Sequence, residues 1–233
     1  MLFGNRLQQR NMKSLEEEVS ELEALINVLC SEYNELVALF YMADETRNPQ
    51  VRGRYESEGQ NCGFEVVRAA LFRSLFLALA KIIFDDDKTF DNPSIKRLHW
   101  QFTEERKKPE SLLLTFLGNR WSERLPATMA QFNALLDDIF GHWDRYSKSP
   151  TWQGLKTLRN KVIAHSDITF SDGEWRLMDP NELQFGVDDY DKIRVGVQDF
   201  LNAFHFAITG MHLNFDAVHE KAKSAAAAFW QLA

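Results

Sequence analysis

A heptad rhythm of apolar residues near the N-terminus restricts the fold more than any other feature of this chain. Leu15, Val19, Leu22, Ile26, Leu29, Tyr33, Leu36 and Phe40 follow one another at alternating steps of four and three. A helix turns that spacing into one continuous stripe, whereas a strand would scatter it over both faces. Leu25, Val28, Val37 and Leu39 widen the stripe beyond the seam of a two-stranded coil. The pattern therefore predicts a long helix packed within a bundle. Ser14 is placed to cap it, and Glu16, Glu17 and Glu18 occupy the first turn, where the helix dipole favours negative charge. Arg47-Asn48-Pro49 ends it.

The remaining elements follow the same logic. The polar, Gly- and Arg-rich segment Val51–Gly63 reads as a connector. From Phe64 to Phe84 the chain is apolar on nearly every side, which predicts the central helix of the bundle. Its most apolar part, Ala69–Phe84, contains Arg73 and Lys81 and is too short to span a bilayer. Asn92-Pro93 opens a third helix through Ile95, Leu98, Trp100 and Phe102. A short helix over Ser111–Leu117 ends at Gly118-Asn119, and an amphipathic one runs from Pro126 to Tyr146. Ser149-Pro150 begins the next helix. Beyond it the period switches to two, and Ile168–Leu177, folded about Asp172-Gly173, reads as a β-hairpin. Asp188 to about Trp230 closes the chain as a long helix or two.

The expected architecture is thus a single all-α domain over 1–233. Residues 1–50 form a long N-terminal helix, 64–165 the core helices, 168–178 a small β-hairpin insertion and 188–230 a closing helix. Eighteen Phe and six Trp predict thick aromatic packing between helices or an additional buried interface. The net charge of −7 argues against general nucleic-acid affinity but leaves room for a small basic cleft. Between Lys96 and Arg124 basic residues outnumber acidic ones, seven to four. That block is either a helix end decorated with favourable cations or a surface that tracks phosphates. Cys30 and Cys62 are too few for a disulfide framework, so a reduced, cytoplasmic compartment is the expected setting. No signal peptide is evident in MLFGNRLQQR, and no membrane association is expected.

Two constellations resemble metal sites and are read otherwise. Asp85-Asp86-Asp87 lacks the spacing and the turn glycine of a calcium loop, so a solvated loop is expected. His205, His212 and His219 recur every seven residues. On one helix they would stand about 10.5 Å apart, too far to share an ion, and they are read as solvent-facing or interface residues.

The functional reading rests on Leu155–Asp167, LKTLRNKVIAHSD. On a helical wheel Trp152, Leu155, Leu158, Val162 and Ile163 share an apolar arc, and Gln153, Lys156, Asn160 and Lys161 lie opposite. Arg159 falls inside the apolar arc, and burying an unpartnered guanidinium costs several kcal/mol. His165 stands six residues on, where the helix gives way to a polar turn. Either Arg159 snorkels or pairs with a carboxylate while His165 ends the helix, or both face one cleft and act on a phosphate.

R-N-K-V-I-A-H resembles the signature of the HEPN superfamily, an Arg and a polar residue followed after a short gap by a His, and LRNKVIAHSD is most similar to the abortive-infection, AbiU-type branch. The resemblance implies a HEPN-like helical bundle and a homodimer in which two motif helices form one composite cleft. It implies metal-independent RNA cleavage with no cofactor, in phage defence or a toxin system that includes an antitoxin or defence partner. Carried over by position, Arg159, Asn160 and His165 are the catalytic set, with Lys156, Lys161 and Asp167 as substrate-contacting neighbours. His165 would exchange the proton of the 2′-hydroxyl, Arg159 would stabilise charge on the phosphorane, and Asn160 would orient the phosphate or the imidazole. The implied products carry a 2′,3′-cyclic phosphate and a 5′-hydroxyl. Asp167 stands where HEPN toxins silenced by adenylylation carry a Tyr, which argues against that form of control. The other reading is a non-catalytic HEPN module that binds a nucleotide or a protein. A plain helical oligomerisation protein, supported by the heptad stripe alone, is a third.

Overall fold

A computed structural model describes residues 14–55, 58–84, 92–124, 128–158, 168–171, 174–177 and 187–232. Asp85, Asp86 and Asp87 lie outside the described residues.

The first helix, α1 (Leu15–Glu45), starts where the cap chemistry predicts. Ser14 Oγ accepts from the Glu17 backbone N–H at 3.3 Å, and Glu17 Oε2 accepts in return from the Ser14 N–H at 2.9 Å. Val19, Leu22, Ile26, Leu29, Tyr33 and Leu36 are buried, and so are Leu25 and Val37 from the wider stripe. The stripe therefore packs in a bundle. The expected N-terminal helix over 1–50 is shorter among the described residues: Thr46 closes α1 at Glu45, and Asn48 caps a separate five-residue helix, α2 (Pro49–Gly53).

Helix α3 (Glu58–Phe84) corrects two expectations. It begins inside the segment read as a connector, because the glycine at position 63 weakens a helix by only about 1 kcal/mol without breaking it. It is also not the centre of the bundle. Phe64, Leu75, Leu79, Ile82 and Ile83 are buried, yet Val66 is 65% exposed, Val67 47% and Leu77 42%. The centre belongs to α1, which packs on α3, on the two C-terminal helices and on two of the helices between.

Helices α4 (Ile95–Arg106), α5 (Leu112–Arg124), α6 (Met129–Ser147) and α7 (Pro150–Leu158) complete the middle of the chain. Helix α4 is capped by Ser94, whose Oγ accepts from the Arg97 N–H at 3.1 Å, so Asn92 and Pro93 precede the cap instead of forming it. Helix α5 runs through Gly118 and Asn119, where a stop was expected. The reason is tertiary: the Met129 thioether occupies the space where a side chain would stand, and a Cβ on Gly118 would meet its Sδ at 2.1 Å. Helix α6 starts later than Pro126, at a capping box in which Thr128 Oγ1 and Gln131 satisfy one another's backbone N–H groups.

The closing segment is two helices, α8 (Val187–Thr209) and α9 (Phe215–Leu232), not one over 188–230. Gly210, at φ 73°, takes the left-handed conformation that ends α8, and its N–H donates to Phe206 O at 2.9 Å. Strand β1 (Ile168–Ser171) runs antiparallel to β2 (Glu174–Leu177), with Ile168 opposite Leu177. No helix among the described residues is long and apolar enough to cross a membrane.

Candidate functional site

The motif helix α7 is anchored at its N-terminal end. Ser149 Oγ accepts from the Trp152 N–H at 3.3 Å, and Ser149 O from the Gln153 N–H at 3.1 Å. Trp152 is then enclosed by aromatic rings from three other helices. Its centroid lies 5.6 Å from Trp143 and 5.7 Å from Tyr146 on α6, 5.8 Å from Phe84 on α3 and 6.1 Å from Phe200 on α8. Four edge-on or tilted rings hold the helix axis in place. Leu155 and Leu158 continue the buried side, while Gln153 and Lys156 face solvent. Arg159, Asn160, Lys161, His165 and Asp167 lie outside the described residues.

A cleft of about 450 Å³ opens beside the start of α7, lined by Tyr146, Ser149, Thr151, Trp152, Asp191, Lys192, Ile193 and Val195. It opens at the first turn of α7, and Thr151 and Leu158, the last described residue of that helix, are separated by about 10.5 Å of helix rise. Asp191 is already engaged there by Arg194, at 2.7 Å and 2.9 Å.

Four of the seven cations between Lys96 and Arg124 are engaged in ion pairs. Lys107 pairs with Glu104 at 2.6 Å, Lys108 with Glu105 at 2.5 Å and Arg120 with Glu23 at 2.5 Å. Arg106 pairs with Asp137 and lies over the Phe140 ring at 4.9 Å. These pairings favour the decorated helix end over a phosphate-tracking surface.

The three histidines of the heptad repeat are separated by the break at Gly210, so they do not share a helix face. His205 is buried, with Nδ1 2.7 Å from Met211 O and 3.2 Å from Thr209 Oγ1, and it tethers the turn between α8 and α9. That overturns a solvent-facing role for it. His212 is exposed and stacks on Phe206 at 3.9 Å.

His219 belongs to a polar network that the linear pattern does not reveal. Its Nε2 lies 3.0 Å from Gln198 Oε1 and 3.2 Å from Arg194 Nη1, and its Nδ1 lies 3.3 Å from Tyr41 Oη. Tyr33 Oη donates to Gln198 Oε1 at 2.9 Å and accepts from Arg194 at 3.4 Å. Burial, and then the Arg194 charge, hold the His219 imidazole below its ordinary pKa. Burial pushes the Tyr33 phenol up to about 12. Burial alone would pull Arg194 down, but hydrogen bonding to Asp191 and the neighbouring Tyr33 more than offset it, and its pKa is raised. The network joins α1, α8 and α9, and in any one tautomer His219 Nε2 either donates to Gln198 Oε1 or accepts from Arg194. It is a structural tie. The one hint in the sequence is Tyr33, a hydroxyl set into an otherwise non-polar stripe.

The comparisons with known proteins bear on the whole chain. A family model described as AbiU2, of the HEPN class, matches residues 12–229, which include Arg159, Asn160 and His165. No curated protein and no solved structure matches the chain. The match takes in every described helix except the last turn of α9, and it agrees with a helical bundle. This chain belongs to the AbiU2 family of HEPN proteins.

Proposed function

We propose that the chain is a HEPN-type, metal-independent endoribonuclease acting as a cytoplasmic homodimer in phage defence or a toxin system. The observation that carries the reading is the family match over residues 12–229, with R-N-K-V-I-A-H inside it. Two motif helices, one from each copy, face across a composite cleft. His165 takes the 2′-hydroxyl proton of the RNA as that oxygen attacks the adjacent phosphorus. Arg159 stabilises the charge that builds on the non-bridging oxygens, and Asn160 orients the phosphate. Lys156 and Lys161 draw the backbone towards the cleft, and Asp167 contacts the substrate beside them. The leaving 5′-oxygen takes a proton, so the ends formed are a 2′,3′-cyclic phosphate and a 5′-hydroxyl.

Incubation of the purified protein with total RNA in EDTA tests this. Cleavage products with cyclic phosphate ends are expected from the wild type, and a loss of roughly 10²-fold or more in His165→Ala and Arg159→Ala. Cleavage by His165→Ala at the wild-type rate would remove the mechanism. The net charge of −7, together with the ion-paired basic block, favours a second reading. In that reading the chain is a non-catalytic HEPN module for a nucleotide or protein partner, and the wild type leaves RNA intact.

A further inference from the structure

The cleft beside the start of α7 sets an apolar wall next to polar groups that the fold itself leaves unused. Its volume, about 450 Å³, is within the range of small-molecule sites. Tyr146, Ile193 and Val195 supply the wall. Gly196 seats the tyrosine against α8, where a Cβ would meet the ring at 3.1 Å, closer than ordinary contact. Tyr146 and Thr151 both line the cleft, and neither hydroxyl has a hydrogen bond among the described residues. Trp152 also lines it and is 1% exposed, and its indole N–H has no acceptor among the described residues. A buried donor without a partner is rare, because the hydration it lost is not replaced.

The charges at the cleft are already matched. Lys192 pairs with Asp189 at 3.6 Å, and Asp191 pairs with Arg194. Both Arg194 bonds, at 2.7 Å and 2.9 Å, fall on Asp191 Oδ1. Asp191 Oδ2 has no hydrogen bond among the described residues and is free to accept one. A bare phosphate or a bare ammonium group would therefore find no uncompensated charge here. What remains suits a neutral molecule with a planar face, an acceptor for an N–H and a hydroxyl to donate.

We propose that this cleft binds a ribonucleoside. The base packs against Tyr146 and Val195 and turns a carbonyl or ring nitrogen to the Trp152 N–H. The ribose 2′-hydroxyl donates to Asp191 Oδ2, while Arg194 fixes the direction of that carboxylate. The Tyr146 and Thr151 hydroxyls serve the remaining polar edge. An acceptor for the 2′-hydroxyl tells ribose from deoxyribose. The site uses none of Arg159, Asn160 and His165. Its occupant is either a free nucleoside or one unit of an RNA strand, and the strand alone rests on the ribonuclease reading.

Saturation transfer from the full chain to adenosine, guanosine, cytidine and uridine, and to their 2′-deoxy forms, tests the proposal by NMR. At least one ribonucleoside is expected to bind with a Kd of about 0.1–1 mM, and its deoxy form about tenfold more weakly. Asp191→Asn keeps an oxygen for Arg194 and replaces the free one with an amide N–H₂ group, so it is expected to remove most of that discrimination. Thr151→Val is expected to weaken both forms alike, with circular dichroism confirming that each variant is folded. No transfer to any ribonucleoside at millimolar concentration would overturn the site. So would a wild type that binds both forms equally, or discrimination that survives Asp191→Asn. Displacement of the nucleoside by a short oligoribonucleotide assigns the site to a strand, and no displacement assigns it to the free nucleoside. Binding is expected to be unchanged in His165→Ala, so failure of the ribonuclease reading and failure of this site are told apart.

Discussion

Helices α1 and α3 are both long, both apolar and packed against each other, yet they solve the problem of burial differently. Helix α1 has its apolar residues on one broad stripe, and the bundle covers it: Ile26, Leu29, Tyr33, Leu36 and Val37 have no exposed surface. Helix α3 has apolar residues on every side, and one bundle covers only one side. Val66, Val67 and Leu77 are left in solvent. Total hydrophobicity is therefore a poor guide to which helix is central. The angular width of the apolar face, set against the number of neighbours available, decides it.

Core truncations probe that contrast most strongly. Leu29→Ala on α1 removes a fully buried side chain and is expected to lower unfolding stability by about 2–5 kcal/mol, whereas Leu77→Ala on α3 shifts the monomer by only about 0.5 kcal/mol or less. Urea denaturation at low protein concentration measures both, and equal effects would break the comparison. A smaller effect belongs to the start of α1. Ser14→Ala removes half of the reciprocal cap and is expected to cost about 1 kcal/mol, read as a lowered urea midpoint at unchanged slope.

The smallest effect is in pH, through the tie from α1 to α8 and α9. The His219 pKa is lowered in the folded chain, so its contribution is fully present above the ordinary imidazole value of 6.5. As the pH falls below 6.5, the unfolded chain takes up a proton that the folded one resists, and stability declines. Burial, and then the like charge of Arg194, resist protonation of the imidazole, while Asp216, Asp191 and Glu220 limit the shift. His219→Gln is expected to flatten this limb of the stability–pH curve slightly. A curve of undiminished slope would show that the imbalance lies in other groups.

What was legible in the sequence was local. The heptad steps of α1, the Ser14 cap and the Ser149 cap of α7 are set by interactions within a few residues, and each stands where the pattern places it. The helical wheel likewise assigned Trp152, Leu155 and Leu158 to one buried side. The misreadings share a cause. Gly118 looked like a helix stop because a glycine is a local weakness, but Met129 makes the missing side chain a packing requirement. The histidine repeat looked like one face because spacing was counted through Gly210, where the chain turns. Helix α3 looked central because its composition does not say which side is covered.

The candidate residues Arg159, Asn160 and His165 were found by a different kind of legibility. A charge set into an apolar arc, followed at a fixed interval by a titratable ring, is visible in the linear order alone. So is membership of the AbiU2 family, which the order of residues 12–229 carries. The sequence by itself thus determined the heptad helix, the Ser14 and Ser149 caps and the family, because each depends on spacing along one chain. Only the tertiary structure decided that α1 is the centre, that α3 keeps an apolar side in solvent, and that Tyr33, Arg194, Gln198 and His219 meet. Those outcomes depend on which surfaces compete for the same neighbour, and that competition is written in no single stretch.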